Sequence, residues 1–310
     1  IEGFNTGWCI AGEATAESYL SHSDIYIYFS NGIVPRVAIV FNRDLNQITE
    51  IRGIAKGQNL DPYIAPIVEE ALTEGLEIEG EKRMLPGSER YLRVAQNMRR
   101  LAEIYMKHLQ HQELTPEDLR FLYEIDRSIV GFGYERDPRI EEILRGRNIK
   151  KDLAKIFNCR EDQIALKDTE VTDETVVLWG DLTSEIAQTW TKFPNKLIYI
   201  RRNADFGNSK VTNLGNLKRI GGDAYFENSK ITRLENLEEI GGFAVFTNSQ
   251  VEDLGSLRRI GASAVFGNAP IQNLGNLNEV VRKCYVRRDK KALISLLRGK
   301  GFEGKIVFED

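Results

Sequence analysis

The stretch AYFENSKITRLENLEEIGG, residues 224–242, follows ADFGNSKVTNLGNLKRIGG at 204–222 and precedes AVFTNSQVEDLGSLRRIGA at 244–262. A period of twenty residues therefore runs through the C-terminal third of the chain. Aligned on it, Ala204, Ala224, Ala244 and Ala264 form one column, and Phe206, Phe226, Phe246 and Phe266 form another two residues on. That offset is the spacing of side chains on one face of a β-strand, so both columns are expected to point inward. Further apolar columns begin at Val211, Leu214, Leu217 and Ile220. One such unit cannot bury its own apolar face, whereas stacked units bury each other's. The column Asn208, Asn228, Asn248 and Asn268 is expected to form a ladder that pairs backbone groups in neighbouring bends, since an amide both donates and accepts. Gly221-Gly222 and Gly241-Gly242 suit a positive φ or a close backbone approach before the next strand. The pattern decays at Ala269-Pro270 and Val281-Arg282. After a last strand at 284–286, KKALISLLRGKG (290–301) reads as an amphipathic helix that covers the last rung.

The repeat resembles the leucine-rich-repeat family, whose LxxLxLxxNxL pattern is approximated by IGGDAYFENSKI at 220–231, with Ala and Phe in two of the Leu places. The resemblance covers about 204–283, with 177–203 as a degenerate first rung. It implies a curved solenoid of parallel strands.

If Ala and Phe point inward, the residues between and beside them point outward. Those columns are Asp205, Tyr225, Val245, Val265 and Tyr285; Asp223, Phe243, Ser263 and Lys283; and Gly207, Glu227, Thr247, Gly267 and Arg287. A solvated strand face is ordinarily polar, yet Tyr225, Phe243, Val245, Val265 and Tyr285 make an apolar, aromatic stripe. Two readings stand: the stripe packs on the N-terminal region or merely uses β-formers, or it binds a protein or peptide with the tyrosines as anchors. A basic cluster of Arg282, Lys283, Arg287, Arg288, Lys290 and Lys291 is either a solvated cap or a meeting place for phosphates or an acidic partner.

The chain as a whole reads as α+β: a small α/β head over 1–75, a helical region over 76–170, and the solenoid with its cap over 171–310. DIYIYF, RVAIVF and QITEIRG read as head strands, and GEATAESYL as a helix. Helices are expected over 62–72 and 88–110, then after Thr115-Pro116, after Asp137-Pro138, and over 149–157. A formal charge of −4 excludes a protein that coats nucleic acid or membrane over its whole surface, though not a local patch. No apolar run approaches the roughly 18 residues of a membrane span. Cys9, Cys159 and Cys284 are scattered and odd in number, which suits reduced thiols and a cytoplasmic setting. The chain opens on Ile1, as a trimmed fragment would.

In the head, Gly7-Trp8-Cys9, Tyr19, Pro35, Arg52-Gly53 and Asn59 stand in an order similar to a motif of PcfJ-type proteins of conjugative elements and related phage proteins. The overlap is about 7–60, matching at Cys9, Tyr19, Arg52, Gly53 and Asn59, and it implies a bacterial phage or mobile-element setting without an activity to transfer. Cys9, His22 and Asn59 are the residue types of a thiol-protease triad, and Arg52 offers an anion site, although a Cys beside a Trp is more often a small buried hydrophobe. Iodoacetamide at neutral pH discriminates, because a silent Cys9 removes the enzyme reading.

Three near-motifs lead elsewhere. GKGFEGKI (299–306) ends in Ile306 where a phosphate loop needs Ser or Thr. NRDLNQITE from 42 lacks the turn glycine of a calcium loop. His108 and His111 sit three apart without a third metal ligand. No metal or cofactor is therefore expected. The leading expectation is a recognition protein that binds a protein partner through the strand face. The alternatives are a Cys9-dependent enzyme or toxin targeted by the solenoid, and nucleic-acid handling through the basic end.

Overall fold

The computed structural model describes residues 17, 20–30, 34–53, 65–74, 76–78, 81–131 and 136–309. Two compact units divide the chain, Ile1–Arg147 and Asn148–Asp310. The stretch read as a helical region is shared between them, 76–147 in the first and 148–170 in the second.

In the first unit Ser23–Ser30, Val34–Asn42 and Gln47–Gly53 form an antiparallel meander in sequence order. Its middle strand reads Val37-Ala38-Ile39-Val40 without alternation, and all four are fully buried, as expected for a strand covered on both faces. The helix Ser88–Leu109 buries Tyr91, Val94, Ala95, Met98, Leu101 and Ile104, and Tyr91 Oη donates to the Thr49 carbonyl of the sheet at 2.5 Å. The helix Pro116–Leu122 starts as its sequence requires: Thr115 Oγ1 accepts from Asp118 N and Asp118 Oδ2 accepts from Thr115 N, each at 3.1 Å. Burial alone pushes the Asp118 carboxyl up, but hydrogen bonds from Lys107 Nζ and Thr115 hold its pKa below the ordinary value. Asp137 caps Pro138–Leu144 through Arg139 N. Leu76–Ile78 and Glu81–Arg83 pair as a short antiparallel ribbon.

The second unit is built on two parallel sheets. One runs through Ile164–Ala165, Val177–Leu178, Tyr199–Ile200, Arg219–Ile220, Glu239–Ile240, Arg259–Ile260 and Glu279–Val280. The other runs through Ala204–Asp205, Ala224–Tyr225, Ala244–Val245, Ala264–Gly267, Cys284–Arg287 and Ile306–Glu309. From Tyr199 to Val280 in the first sheet, and from Ala204 to Tyr285 in the second, each residue faces the one twenty positions on. A third line of parallel bridges joins Arg233 to Asp253 and Asp253 to Asn273. The stacked strands begin at Ile164, ahead of the repeat visible in sequence.

The inward columns behave as their spacing requires. Ala204, Ala224, Ala244, Ala264 and Cys284 have no exposed surface, and neither do the four phenylalanines. Their rings lie in a file: Phe206 to Phe226 at 5.4 Å, Phe226 to Phe246 at 5.1 Å and Phe246 to Phe266 at 5.7 Å between centroids, within 15° of parallel. In-register strands impose that alignment, because identical side chains on adjacent strands must superpose.

The asparagine column has a different cause from the one its chemistry suggests. Asn208, Asn228 and Asn248 are exposed and take φ of 58°, 55° and 57°. Asn is there because it tolerates the left-handed turn, and only Asn268 shows a ladder bond, its Oδ1 accepting from Asn248 N at 2.6 Å. The buried small column is the next residue, Ser209, Ser229, Ser249 and Ala269. Of the two roles open to the paired glycines, close approach is the real one. A Cβ at Gly221, Gly241 or Gly261 would run into the carbonyl oxygen of Arg201, Gly221 or Gly241 in the preceding rung.

The C-terminal cover combines apolar and charged parts. The helix Lys291–Gly299 buries Leu293, Ile294 and Leu297 on the core. Within the array, Gly261 N donates to Ile240 O, Val281 N to Ile260 O and Asn276 N to Gly255 O. After the last rung Lys305 Nζ donates to Val280 O and Lys300 Nζ to Gly275 O. Lysine ammoniums thus stand where the amides of a further rung would.

Candidate recognition surface

The two sheets show opposite outward faces, although the same repeats build both. On the seven-stranded sheet the outward residue precedes the buried Ile and alternates in charge. Arg259 donates to Glu239 at 2.8 Å and to Glu279 at 3.0 Å, and Arg219 lies 3.4 Å from Glu239. Ions of alternate sign on neighbouring strands close this face upon itself.

On the six-stranded sheet the outward column is Asp205, Tyr225, Val245, Val265 and Tyr285, placed side by side by the strand register and all half-buried, with the apolar row starting at Tyr225. The register continues to Val307, which faces Tyr285. Val307 escaped sequence reading because it lies twenty-two residues on, outside the period.

Phe243 adds to this row from the corner before the strand. At that corner each side chain serves the next rung: Asn203 Oδ1 accepts from Asp223 N at 2.8 Å, Asp223 Oδ1 from Phe243 N at 2.7 Å, and Ser263 Oγ from Lys283 N at 3.2 Å. Phe243 alone of these columns puts a large apolar group there, 39% exposed. Tyr225 Oη donates to Asp223 Oδ2 at 3.2 Å, and partial burial together with the Asp223 charge raises its pKa above that of an ordinary phenol. The flanking columns are less open than alternation implies. Ser263 is buried at 3%, and Gly207 and Gly267 are also buried, Gly267 because the register shifts there and the chain turns at φ 52°.

The basic end is committed to structure in part. Lys290 Nζ donates to Asn268 O at 2.9 Å, Arg287 pairs with Asp289 at 3.2 Å, and Arg288 lies 5.2 Å over the Phe308 ring. Arg282, Lys283 and Lys291 are exposed.

Of the head candidates, Cys9, Tyr19 and Asn59 lie outside the described residues. Arg52 takes its place in the strand Gln47–Gly53, facing Ala38. His22 is exposed, and its Nδ1 meets Asp44 Oδ2 at 2.9 Å. At NRDLNQITE the chain makes a hairpin, Leu45 N donating to Asn42 Oδ1 at 2.8 Å. GKGFEGKI holds a 3-10 turn, Glu303–Lys305, leading into a strand. His108 stacks on Tyr105 at 6.3 Å.

Cys284 tests the inward column directly. It stands in the alanine column with no exposed surface, and burial pushes its thiol up to about 11. Since the thiolate is the reacting species, alkylation of the native chain at pH 8 is expected to leave Cys284 unmodified by peptide mass spectrometry. Unfolding in guanidinium is expected to make it fully reactive. Native labelling of Cys284 within minutes would contradict its burial.

Among the described residues no helix is long and apolar enough to cross a membrane. No protein-family model, curated protein or solved structure matches the chain.

Proposed function

We propose that the chain is a recognition protein whose C-terminal unit, a solenoid of the leucine-rich-repeat type, holds a protein or peptide against Tyr225, Phe243, Val245, Val265 and Tyr285. The observation that carries this reading is the contrast between two faces of one repeat. Arg219, Glu239, Arg259 and Glu279 neutralise each other on the first sheet, while the second presents an apolar row with an exposed Phe243 at its margin. Contiguous apolar surface with aromatic anchors is the composition of an interface centre.

The array suits the task mechanically. Its outward side chains are held at fixed spacing by a file of buried rings, so binding orders little of the host, which favours affinity. The head's resemblance to a motif of PcfJ-type proteins, at Cys9, Tyr19, Arg52, Gly53 and Asn59, supports a partner in a mobile-element or phage setting. Nucleic-acid contact through the basic end fits less well, since Lys290 and Arg287 already have partners within the fold.

The test is quantitative capture from the source cell by the wild-type chain and by a Tyr225→Lys/Phe243→Glu double variant. A partner retained by the first and lost by the second supports the reading, and equal retention removes it. A Cys9→Ala variant is expected to bind as the wild type does.

A further inference from the structure

A cavity of about 410 Å³ opens in the first unit, lined by Arg93, Arg100, Arg120 and Arg127 against only two carboxylates, Glu117 and Asp126. Such a concentration of guanidinium groups is notable in a chain of net charge −4. It arises from local sequence. Arg93, Asn97 and Arg100 share one face of the helix Ser88–Leu109, turned away from the buried Val94, Met98 and Leu101. The helix Pro116–Leu122 contributes Arg120 and Phe121, and the segment after it contributes Arg127.

The arginines differ in what already holds them. Asp126 grips Arg120 with two bonds, Nε to Oδ2 at 2.6 Å and NH2 to Oδ1 at 2.7 Å, which neutralises that pair. Arg100 donates to the backbone carbonyl of Glu117 at 3.0 Å and lies 4.9 Å over the Phe121 ring, so it is oriented without being neutralised. Arg93 and Arg127 meet no carboxylate among the described residues. Elsewhere in this unit arginines do: Arg43 with Asp24, Arg99 with Glu69, Arg136 with Glu124 and Arg139 with Asp137.

We propose that this cleft binds the phosphate groups of a small organic phosphate carrying two or three of them, through Arg93, Arg100 and Arg127. Three arginines without a carboxylate partner among the described residues, lining one concavity, match a polyanion with several acceptor oxygens better than a single carboxylate. The volume lies within the range of small-molecule sites. Asn97 also lines the wall, its Nδ2 donating to the Val130 carbonyl at 3.5 Å with a second amide hydrogen left over.

Isothermal titration of the full chain with ATP, inorganic triphosphate and adenosine tests this. ATP and triphosphate are expected to bind with affinities within a few-fold of each other, weakening as salt rises, while adenosine does not bind. Arg93→Gln and Arg127→Gln are each expected to weaken triphosphate binding roughly tenfold or more without moving the melting temperature, since both side chains are exposed. Absence of triphosphate binding at millimolar concentration overturns the proposal, as does an unchanged affinity in the Arg93→Gln/Arg127→Gln double variant. Adenosine binding as tightly as ATP overturns it too, and so does a single-stranded RNA that binds without competition from triphosphate.

Discussion

Phe226→Ala and Phe246→Ala are each expected to destabilise the chain by about 3–5 kcal/mol, the upper range for removing a buried ring. The rings are fully buried and separated by 5.1 Å, so each deletion leaves a void walled above and below by aromatic faces. Collapse into it is resisted because the strands on either side are tied: Phe226 N donates to Val245 O at 2.8 Å and Phe246 N to Val265 O at 2.7 Å. Domain stability is typically 5–15 kcal/mol, so either change removes a large share. Phe246→Leu keeps most of the volume and is expected to cost roughly half as much or less. Guanidinium unfolding measures all three, and a loss below about 1 kcal/mol for either alanine variant would contradict the packed file of rings.

The Tyr225→Lys/Phe243→Glu variant is expected to lose its partner by at least about 100-fold, since truncating a central interface anchor costs about 2 kcal/mol or more and two are removed here. Lysine is chosen at 225 because its ammonium can pair with the Asp223 carboxylate that Tyr225 hydrogen-bonds. The fold should survive: Phe243 is 39% exposed and its backbone amide remains bonded to Asp223. Surface plasmon resonance against the captured partner, with a melting curve as control, separates lost binding from lost structure. Matched affinities in two well-folded proteins would exclude this row as the contact.

The inward columns were legible because burial selects the same two side chains every twenty residues: Ala and then Cys284 in one, Phe and then Val286 in the other. Polar columns were less so. Asn208, Asn228 and Asn248 have the chemistry of a ladder and the geometry of a left-handed turn, and only exposure distinguishes them. The start of the array was hidden because Ile164 pairs with Val177 and Val177 with Tyr199, offsets unequal to the period, and pairing does not require equal loops. Lys290, Lys300 and Lys305 read as charge along the chain, whereas their reach to carbonyls more than twenty residues back is a property of the fold. The arginine cleft combines three segments, and no spacing within one of them announces it.

The central claim is that twenty residues of sequence advance the chain by one strand spacing. It is tested most directly by spin labels at Asp205→Cys and Tyr285→Cys, with the native cysteines replaced, and the distance read by electron double resonance. Four pairings separate these positions, so the account predicts Cα atoms about 19 Å apart and a narrow distribution. A broad distribution, or a mean beyond about 30 Å after allowance for the label arms, would contradict it, since four strand spacings reach no further.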